Sequence, residues 1–179
     1  QETAATIVHP YNDEKIIAGQ GTAAKELLES IPDLDVIIAP VSGGGLLAGT
    51  LLAAKNINPN IKVYGAEPKN ADDAYRSIKN KKIVFNKTTD TIADGLRAQV
   101  GTITFPIIQK YVDGIILVSE EMIIQSMRMI WQRLKIIIEP SCSIVLAALL
   151  IKNEQFYNKR IGLILTGGNV DLDTLPWNH

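Results

Sequence analysis

The order of elements that begins at residue 35 constrains this chain more than any other feature. Asp35-Val36-Ile37-Ile38-Ala39-Pro40 is an apolar run with the length of a buried parallel strand, and Leu46-Leu47-Ala48-Gly49-Thr50-Leu51-Leu52-Ala53-Ala54 reads as a helix. Between them stands Val41-Ser42-Gly43-Gly44-Gly45. Three consecutive residues without a Cβ let backbone N–H groups converge on one point, and the helix N-terminus behind them adds partial positive charge. Such a loop suits a phosphate, although the same pattern also serves as a tight connection. Its spacing is neither G-x-G-x-x-G nor G-x-x-x-x-G-K-[ST], so dinucleotide and P-loop nucleotide binding do not follow.

Length and composition narrow the rest. A chain of 179 residues with 46% hydrophobic content can bury the core of one domain. The formal net charge of -1, with no block of like charges, gives no footing for nucleic acid or an anionic membrane and points to a small partner. Cys142 is the only cysteine, so no internal disulfide forms, which suits a reducing compartment. His9 and His179 are isolated, which leaves no Cys/His zinc pattern and no Ser-His-Asp arrangement. No apolar run approaches the roughly 18 residues of a membrane span, and no signal peptide opens the chain. The expectation is a soluble, cytoplasmic protein, in which the Asn86-Lys87-Thr88 sequon is accidental. The absent initiator methionine suggests a processed or excised piece.

Along the chain, 13–30 reads as a helix with Ile16, Ile17, Ala24, Leu27 and Leu28 inward and Asp13-Glu14 at the favourable end of its dipole. A second strand spans 62–67, a short helix 71–78, a surface loop 79–90, another short helix 105–111 and a third strand 114–118. Ser119 is a helix N-cap with Glu120 and Glu121 in the first turn, ahead of a core stripe of Met122, Met127, Ile130, Trp131 and Leu134. A helix at 143–151 and a fourth strand at 160–165 close the pattern. This alternation predicts an α/β fold, a mostly parallel sheet with helices on both faces, and includes a right-handed βαβ unit at its start.

In such a sheet, ligands sit at the carboxyl ends of the strands. Those ends are Ser42 to Leu46, Glu67 to Asp73, Ser119 to Glu121 and Thr166 to Asn169. Thr166-Gly167-Gly168-Asn169 joins a hydroxyl and an amide to two glycines, as where backbone approaches a flat or phosphorylated ligand, or at an ordinary strand-end turn. Glu67 and Asp73 lie across a strand-to-helix turn and could hold a hard cation with the carbonyls between them, or simply be a solvated helix start.

Taken together, Val41 to Gly49, Gly65-Ala66-Glu67-Pro68, Thr91-Ile92-Ala93-Asp94-Gly95 and Leu165-Thr166-Gly167-Gly168-Asn169 resemble the pyridoxal-phosphate enzymes of the tryptophan-synthase β-subunit type (fold type II). Within them the likeness is to the serine racemase and threonine dehydratase branch, with Ile17-Ala18-Gly19-Gln20-Gly21-Thr22 and Glu139-Pro140 matching as well. The resemblance covers essentially the whole chain. It implies that residues 13–179 are the larger, pyridoxal-phosphate-binding domain, in part, and that 1–12 is a linker arriving from a missing N-terminal part. It implies that Ser42, Gly43, Gly44, Gly45 and Leu46 cradle the cofactor phosphate and that Thr166 meets the pyridine nitrogen. Glu67 and Asp73, with the Ala71 carbonyl, match a site for Mg²⁺, or Ca²⁺ or Mn²⁺, and Asp35 a peripheral cation contact. Lys135 and Asn169 match positions that meet ATP at a dimer interface.

Function by resemblance is interconversion of L- and D-serine, with β-elimination of serine to pyruvate and ammonia. The partners implied are serine, the N-terminal half of the same enzyme and a second copy in a homodimer. The family's Schiff-base lysine motif, its Ser-Gly-Asn-His loop and the serine that acts as second base do not occur here. The segment alone is therefore expected to be inactive, with none of its own residues catalytic. Tyr11 stands where some racemases have an asparagine beside the cofactor ring. The alternatives are a serine/threonine dehydratase without a regulatory domain and a non-catalytic, truncated module that binds cofactor or cation.

Overall fold

Asp13 starts the first helix by accepting the N–H groups of Lys15 and Ile16 on its carboxylate, at 2.8 and 3.2 Å. In the computed structural model, which describes residues 7–177, helix α1 runs Glu14–Ser30 and ends before Pro32. The first six residues of the expected linker, and His179, lie outside the described residues. Strand β1 (Val36–Pro40) is buried along its whole length, as a strand covered on both faces must be. Helix α2 (Gly45–Ile57), strand β2 (Lys62–Pro68) and helix α3 (Asp73–Asn80) follow, the last after a 3₁₀ turn at Lys69–Ala71. Then come α4 (Thr104–Tyr111), β3 (Gly114–Val118), α5 (Glu120–Leu134), α6 (Pro140–Ile151) and β4 (Ile161–Leu163).

The four strands pair in the order β3-β2-β1-β4, all parallel. Alternation within β1 divides the core. Ile37 and Ala39 pack with α1, α2 and α4, while Val36 and Ile38 pack with α5, α6 and the 91–96 segment. The expected mostly parallel sheet with helices on both faces is the fold observed.

Because β2 and β3 extend from one side of β1 and β4 from the other, the chain direction reverses between β1 and β4. The loops after those two strands must part there and leave a crevice at their carboxyl ends. The Ser42–Leu46 loop follows β1, and Thr166–Asn169 follows β4.

Several boundaries differ from the expectation. Helix α6 begins at Pro140 rather than Ser143, because proline at the first helical position loses only an N–H that would lack a partner anyway. Strand β4 pairs over three residues, with β1 as its one neighbour among the described residues, although the Ile164 N–H still reaches the Ile38 carbonyl. On α5, Met127 and Ile130 are buried, but Leu134 is 59% exposed in the last turn. Ile123 and Ser126 complete the inward face in its place.

Candidate functional site

The loop after β1 is shaped by what it lacks. Gly44 has φ +92°, a left-handed conformation costly for any residue with a Cβ, and it caps α2 without a side-chain hydrogen bond. A Cβ there would stand 2.7 Å from Ile108 Cδ1 and 2.8 Å from Thr104 Oγ1. A Cβ on Gly43 would enter the Tyr11 ring. Among the described residues, the N–H groups of Gly43, Gly44, Gly45, Leu46 and Leu47 have no acceptor. Their carbonyls are engaged elsewhere: Gly43 accepts from Gly101 N–H and Thr104 Oγ1, and Gly44 from Ala48 N–H. The Ser42 hydroxyl both donates to the Ala98 carbonyl, at 3.0 Å, and accepts the Ala98 N–H, at 2.9 Å. Ser42 is thus a clamp on the neighbouring 98–104 segment.

Of those backbone donors, Gly43 to Leu46 border a cavity of 430 Å³ that Tyr11, Ser42 to Leu46, Gly95, Glu139, Ser141 and Thr166 line together. The structure therefore brings the two glycine-containing strand ends to one place. Thr166 is held from behind, its N–H donating to the buried Cys142 Sγ at 3.2 Å. Glu139 fixes the next residues: its carboxylate accepts the Asn169 N–H at 2.9 Å, and its N–H donates to the Gly167 carbonyl at 3.0 Å. Ser141 accepts the Gly95 N–H at 3.0 Å and ties the 94–96 turn to the start of α6.

The end of β2 is a different environment. Glu67 and Asp73 expose no surface. Glu67 accepts the N–H groups of Ala74 and Tyr75, at 2.7 and 2.8 Å, and so caps α3 with its carboxylate. Asp73 accepts from Val100 N–H at 2.9 Å and Asn86 Nδ2 at 2.7 Å. Burial pushes the Glu67 carboxyl well above the usual carboxylate range. The Tyr75 and Ala74 N–H groups pull it back, and the charges of Asp73 and Asp72 add to the rise. Asp73 is raised as well, by burial above all, against the pull of Val100 and Asn86.

Among the described residues no Lys, Arg or His pairs with either acid; Arg76 bonds Asp72 instead, at 2.7 Å. No group of three or more His, Cys, Asp or Glu gathers among the described residues, so any cation here would draw on these two carboxylates and on backbone oxygens. Ala71, between them on the 3₁₀ turn, is buried and suitably placed in the chain to offer its carbonyl.

Other expected residues are less engaged. Lys135 is not within α5 but caps it in the left-handed region, at φ 59°. Lys135 and Asn169 are both exposed. The 135–139 strap runs against the Thr166–Asn169 loop, close enough for a Cβ on Gly168 to stand 2.5 Å from the Ile137 carbonyl. Asp35 lies at the opposite, amino end of the sheet, where it accepts the Arg160 N–H at 2.8 Å and faces Lys159 at 3.6 Å. Thr104, Ala98, Ser141 and Cys142, which hold the two loops, carry no local signal in the sequence; each is one residue joined to a partner distant along the chain.

Comparison with known proteins decides what this geometry belongs to. The family model described as "Pyridoxal-phosphate dependent enzyme" matches residues 1–167. The chain belongs to that family. Serine racemase of Dictyostelium discoideum is 49% identical over 181 residues, covering 98% of this chain and 55% of that protein. A beta-hydroxyaspartate dehydratase of Paracoccus denitrificans is 46% identical over 177 residues, 99% of this chain and 56% of the relative. The structure of maize serine racemase superposes with a TM-score of 0.93 at 48% identity, over 97% of this chain and 55% of that one. The chain thus spans about half the length of the relatives it matches. For a pyridoxal-phosphate enzyme, the unpartnered N–H groups at the end of β1 fit the cofactor's phosphate, since a dianion needs donors rather than carbonyls.

Proposed function

We propose that this chain is the larger-domain portion, residues 13–179, of an enzyme that acts on small β-hydroxy amino acids, with serine as substrate and racemisation and β-elimination as its reactions. The observation that carries the reading is the row of N–H groups from Gly43 to Leu46, without acceptors among the described residues, around a cavity that Thr166 also lines. Gly43, Gly44, Gly45 and Leu46 hold the phosphate with their backbone donors, and Ser42 fixes the loop. Pyridoxal phosphate supplies an electron sink for the negative charge that develops at the substrate Cα when its proton leaves. Thr166 offers the ring nitrogen a neutral hydroxyl, which, unlike a carboxylate, does not hold that nitrogen protonated. Charge withdrawal is then moderate, which leaves both return of a proton to Cα and loss of the β-hydroxyl open. Tyr11 and Leu46 supply part of the cavity wall.

Glu67, Asp73 and the Ala71 carbonyl are proposed to hold Mg²⁺, Ca²⁺ or Mn²⁺. The support is physical: two buried carboxylates without a cationic partner among the described residues are costly, and a divalent cation removes that cost. Lys135 and Asn169 as an ATP contact, a homodimer, and the N-terminal half of the enzyme as source of the covalent anchor belong to the same proposal. The Paracoccus relative favours a second reading, dehydration of 3-hydroxyaspartate. Both readings share a hydroxyl on the carbon next to Cα and differ in the side-chain carboxylate.

The test is incubation of the full-length protein with pyridoxal phosphate and Mg²⁺ on L-serine or on 3-hydroxyaspartate, followed by chiral chromatography and assay of the keto acid. D-serine together with pyruvate is the expected result. Pyruvate without D-serine would make the enzyme a dehydratase, and turnover confined to 3-hydroxyaspartate would establish the second reading. No turnover and no bound cofactor would leave a non-catalytic module.

A further inference from the structure

The phosphate cup has a support that lies 61 residues away from it along the chain. Thr104, the first residue of α4, is fully buried. Its Oγ1 stands 2.7 Å from the Gly43 carbonyl, 3.3 Å from the Gly101 carbonyl and 2.9 Å from the Gly101 N–H. A hydroxyl has one proton to give, and the shorter contact takes it. Thr104 therefore donates to Gly43 and accepts from Gly101, whose N–H also approaches the Gly43 carbonyl at 3.2 Å.

We infer that Thr104 is a positioning residue for the cofactor's phosphate: its hydroxyl turns the Gly43 carbonyl away from the cavity, which aims the following N–H groups into it. The inference rests on the phosphate-cup reading of Ser42 to Leu46. A peptide plane is rigid, so fixing the Gly43 carbonyl also fixes the Gly44 N–H on the opposite side of the same plane. Gly44 is the residue with φ +92°, where an unanchored glycine would have several conformations to choose from. If the carbonyl swung inward, an acceptor would face a dianion where a donor is required.

Sterics support the same role. Thr104 Cβ and Oγ1 lie 3.0 and 2.8 Å from the position a Cβ would take on Gly44, so the threonine also closes the outer side of the loop. The rest of the segment works with it: Ala98 clamps Ser42 through two hydrogen bonds, and Asn12 accepts the Ile103 N–H at 2.7 Å.

The experiment compares Thr104→Ser, Thr104→Ala and Thr104→Val in the full-length protein, titrated with pyridoxal 5'-phosphate and with pyridoxal, which lacks the phosphate. Ser and Ala differ by the one oxygen at issue, so the comparison survives even if the Val variant does not fold. The expected result is a loss of roughly tenfold or more in affinity for pyridoxal 5'-phosphate in the Ala and Val variants, the size of one buried hydrogen bond. Affinity for pyridoxal should change far less, and the Ser variant should stay near the wild type. Equal affinities for the phosphorylated ligand in the Ser and Ala variants would overturn the inference. So would parallel losses for both ligands, which would mark general loosening of the fold. A wild-type protein that bound pyridoxal 5'-phosphate no better than pyridoxal would instead overturn the phosphate-cup reading on which the inference stands.

Discussion

At the carboxyl end of β1 the chain presents backbone donors and almost no side chains, whereas one strand away, at the end of β2, it presents two carboxylates that no cationic side chain among the described residues pairs with. The first place is assembled from Gly43, Gly44 and Gly45, with a left-handed φ at Gly44 and hydrogen-bond clamps to the 98–104 segment, through the Ser42 hydroxyl to the Ala98 backbone and through the Thr104 hydroxyl to the Gly43 carbonyl. The second is assembled from Glu67 and Asp73, both without exposed surface and both shifted toward the protonated form by burial. Neither Glu67 nor Asp73 is left without hydrogen bonds, yet hydrogen bonds satisfy oxygen atoms without cancelling net charge. A site made of peptide N–H groups does not titrate, and it is ruined by sterics. A site made of buried acids tolerates small steric changes, and it responds to pH and to cations. The two sites should therefore fail in different ways.

The most damaging change to the first should be Gly44→Val. It places a β-branched residue at φ +92° and drives its side chain into Thr104 and Ile108. The expected cost is about 3 kcal/mol or more of stability, from the left-handed backbone and overpacking together, with loss of cofactor retention. Denaturant midpoints and absorbance of bound cofactor after dialysis would measure the two effects. A variant that kept its cofactor would remove the claim that this loop is built by steric exclusion.

Glu67→Ala should cost nearly as much stability, about 2–3 kcal/mol, because the Ala74 and Tyr75 N–H groups lose a buried acceptor at the start of α3. Its signature differs: cofactor affinity should change less than in Gly44→Val, and any stabilisation by divalent cation should vanish. Thermal melts with Mg²⁺ and with chelator check both points. Equal cofactor loss in the two variants would mean that the sites are not separable.

The pH response sharpens the contrast further. Glu67 and Asp73 have folded-state values raised above their unfolded ones, so without a cation their contribution favours folding below the unfolded range and is lost as pH rises through the folded values. A divalent cation binds the ionised pair. Its stabilising effect should therefore be greatest at alkaline pH and begin to fade on acidification while the solution is still above the ordinary carboxylate range, where the raised folded-state carboxyls take up protons. At saturation the shift is expected to be about 1–3 kcal/mol, read as a rise in Tm. A cation effect that stayed constant down to low pH would place the ion elsewhere.

Both sites are partly legible in the sequence, for opposite reasons. Three adjacent glycines after an apolar strand are a local pattern, and so are two acids six residues apart after another strand; each survives because chemistry and chain proximity coincide. The residues that complete the sites do not have that property. Thr104 meets Gly43, Ser42 meets Ala98, and Glu139 meets Asn169 only after the sheet has brought the strand ends together. The same distinction explains the element boundaries. Asp13 and Ser119 are caps whose partners lie within three residues, and the helices start where they predict. Leu134 keeps helical spacing but projects beyond the packed length of α5, a tertiary fact without a local sign.

Cys142 offers the smallest and most discriminating test, because its side chain meets the cavity through the backbone N–H of Thr166. Its Sγ accepts the Thr166 N–H at 3.2 Å from a fully buried position in a small cluster with Met127, Ile130 and Ile138. Cys142→Ser substitutes a stronger acceptor with a hydroxyl that must itself be satisfied inside that apolar cluster. Cys142→Ala removes the acceptor and leaves the Thr166 N–H to find water in the adjoining cavity. The alanine variant should lose about 1 kcal/mol of stability. Phosphate-dependent affinity should hold in both variants, since the Gly43–Leu47 donors are untouched. Any effect should fall instead on the absorption of the bound cofactor ring, which reports on its nitrogen. If phosphate affinity fell and the ring spectrum did not move, Thr166 would belong to the phosphate cup rather than to the ring, and the division of labour between the two strand ends would have to be redrawn.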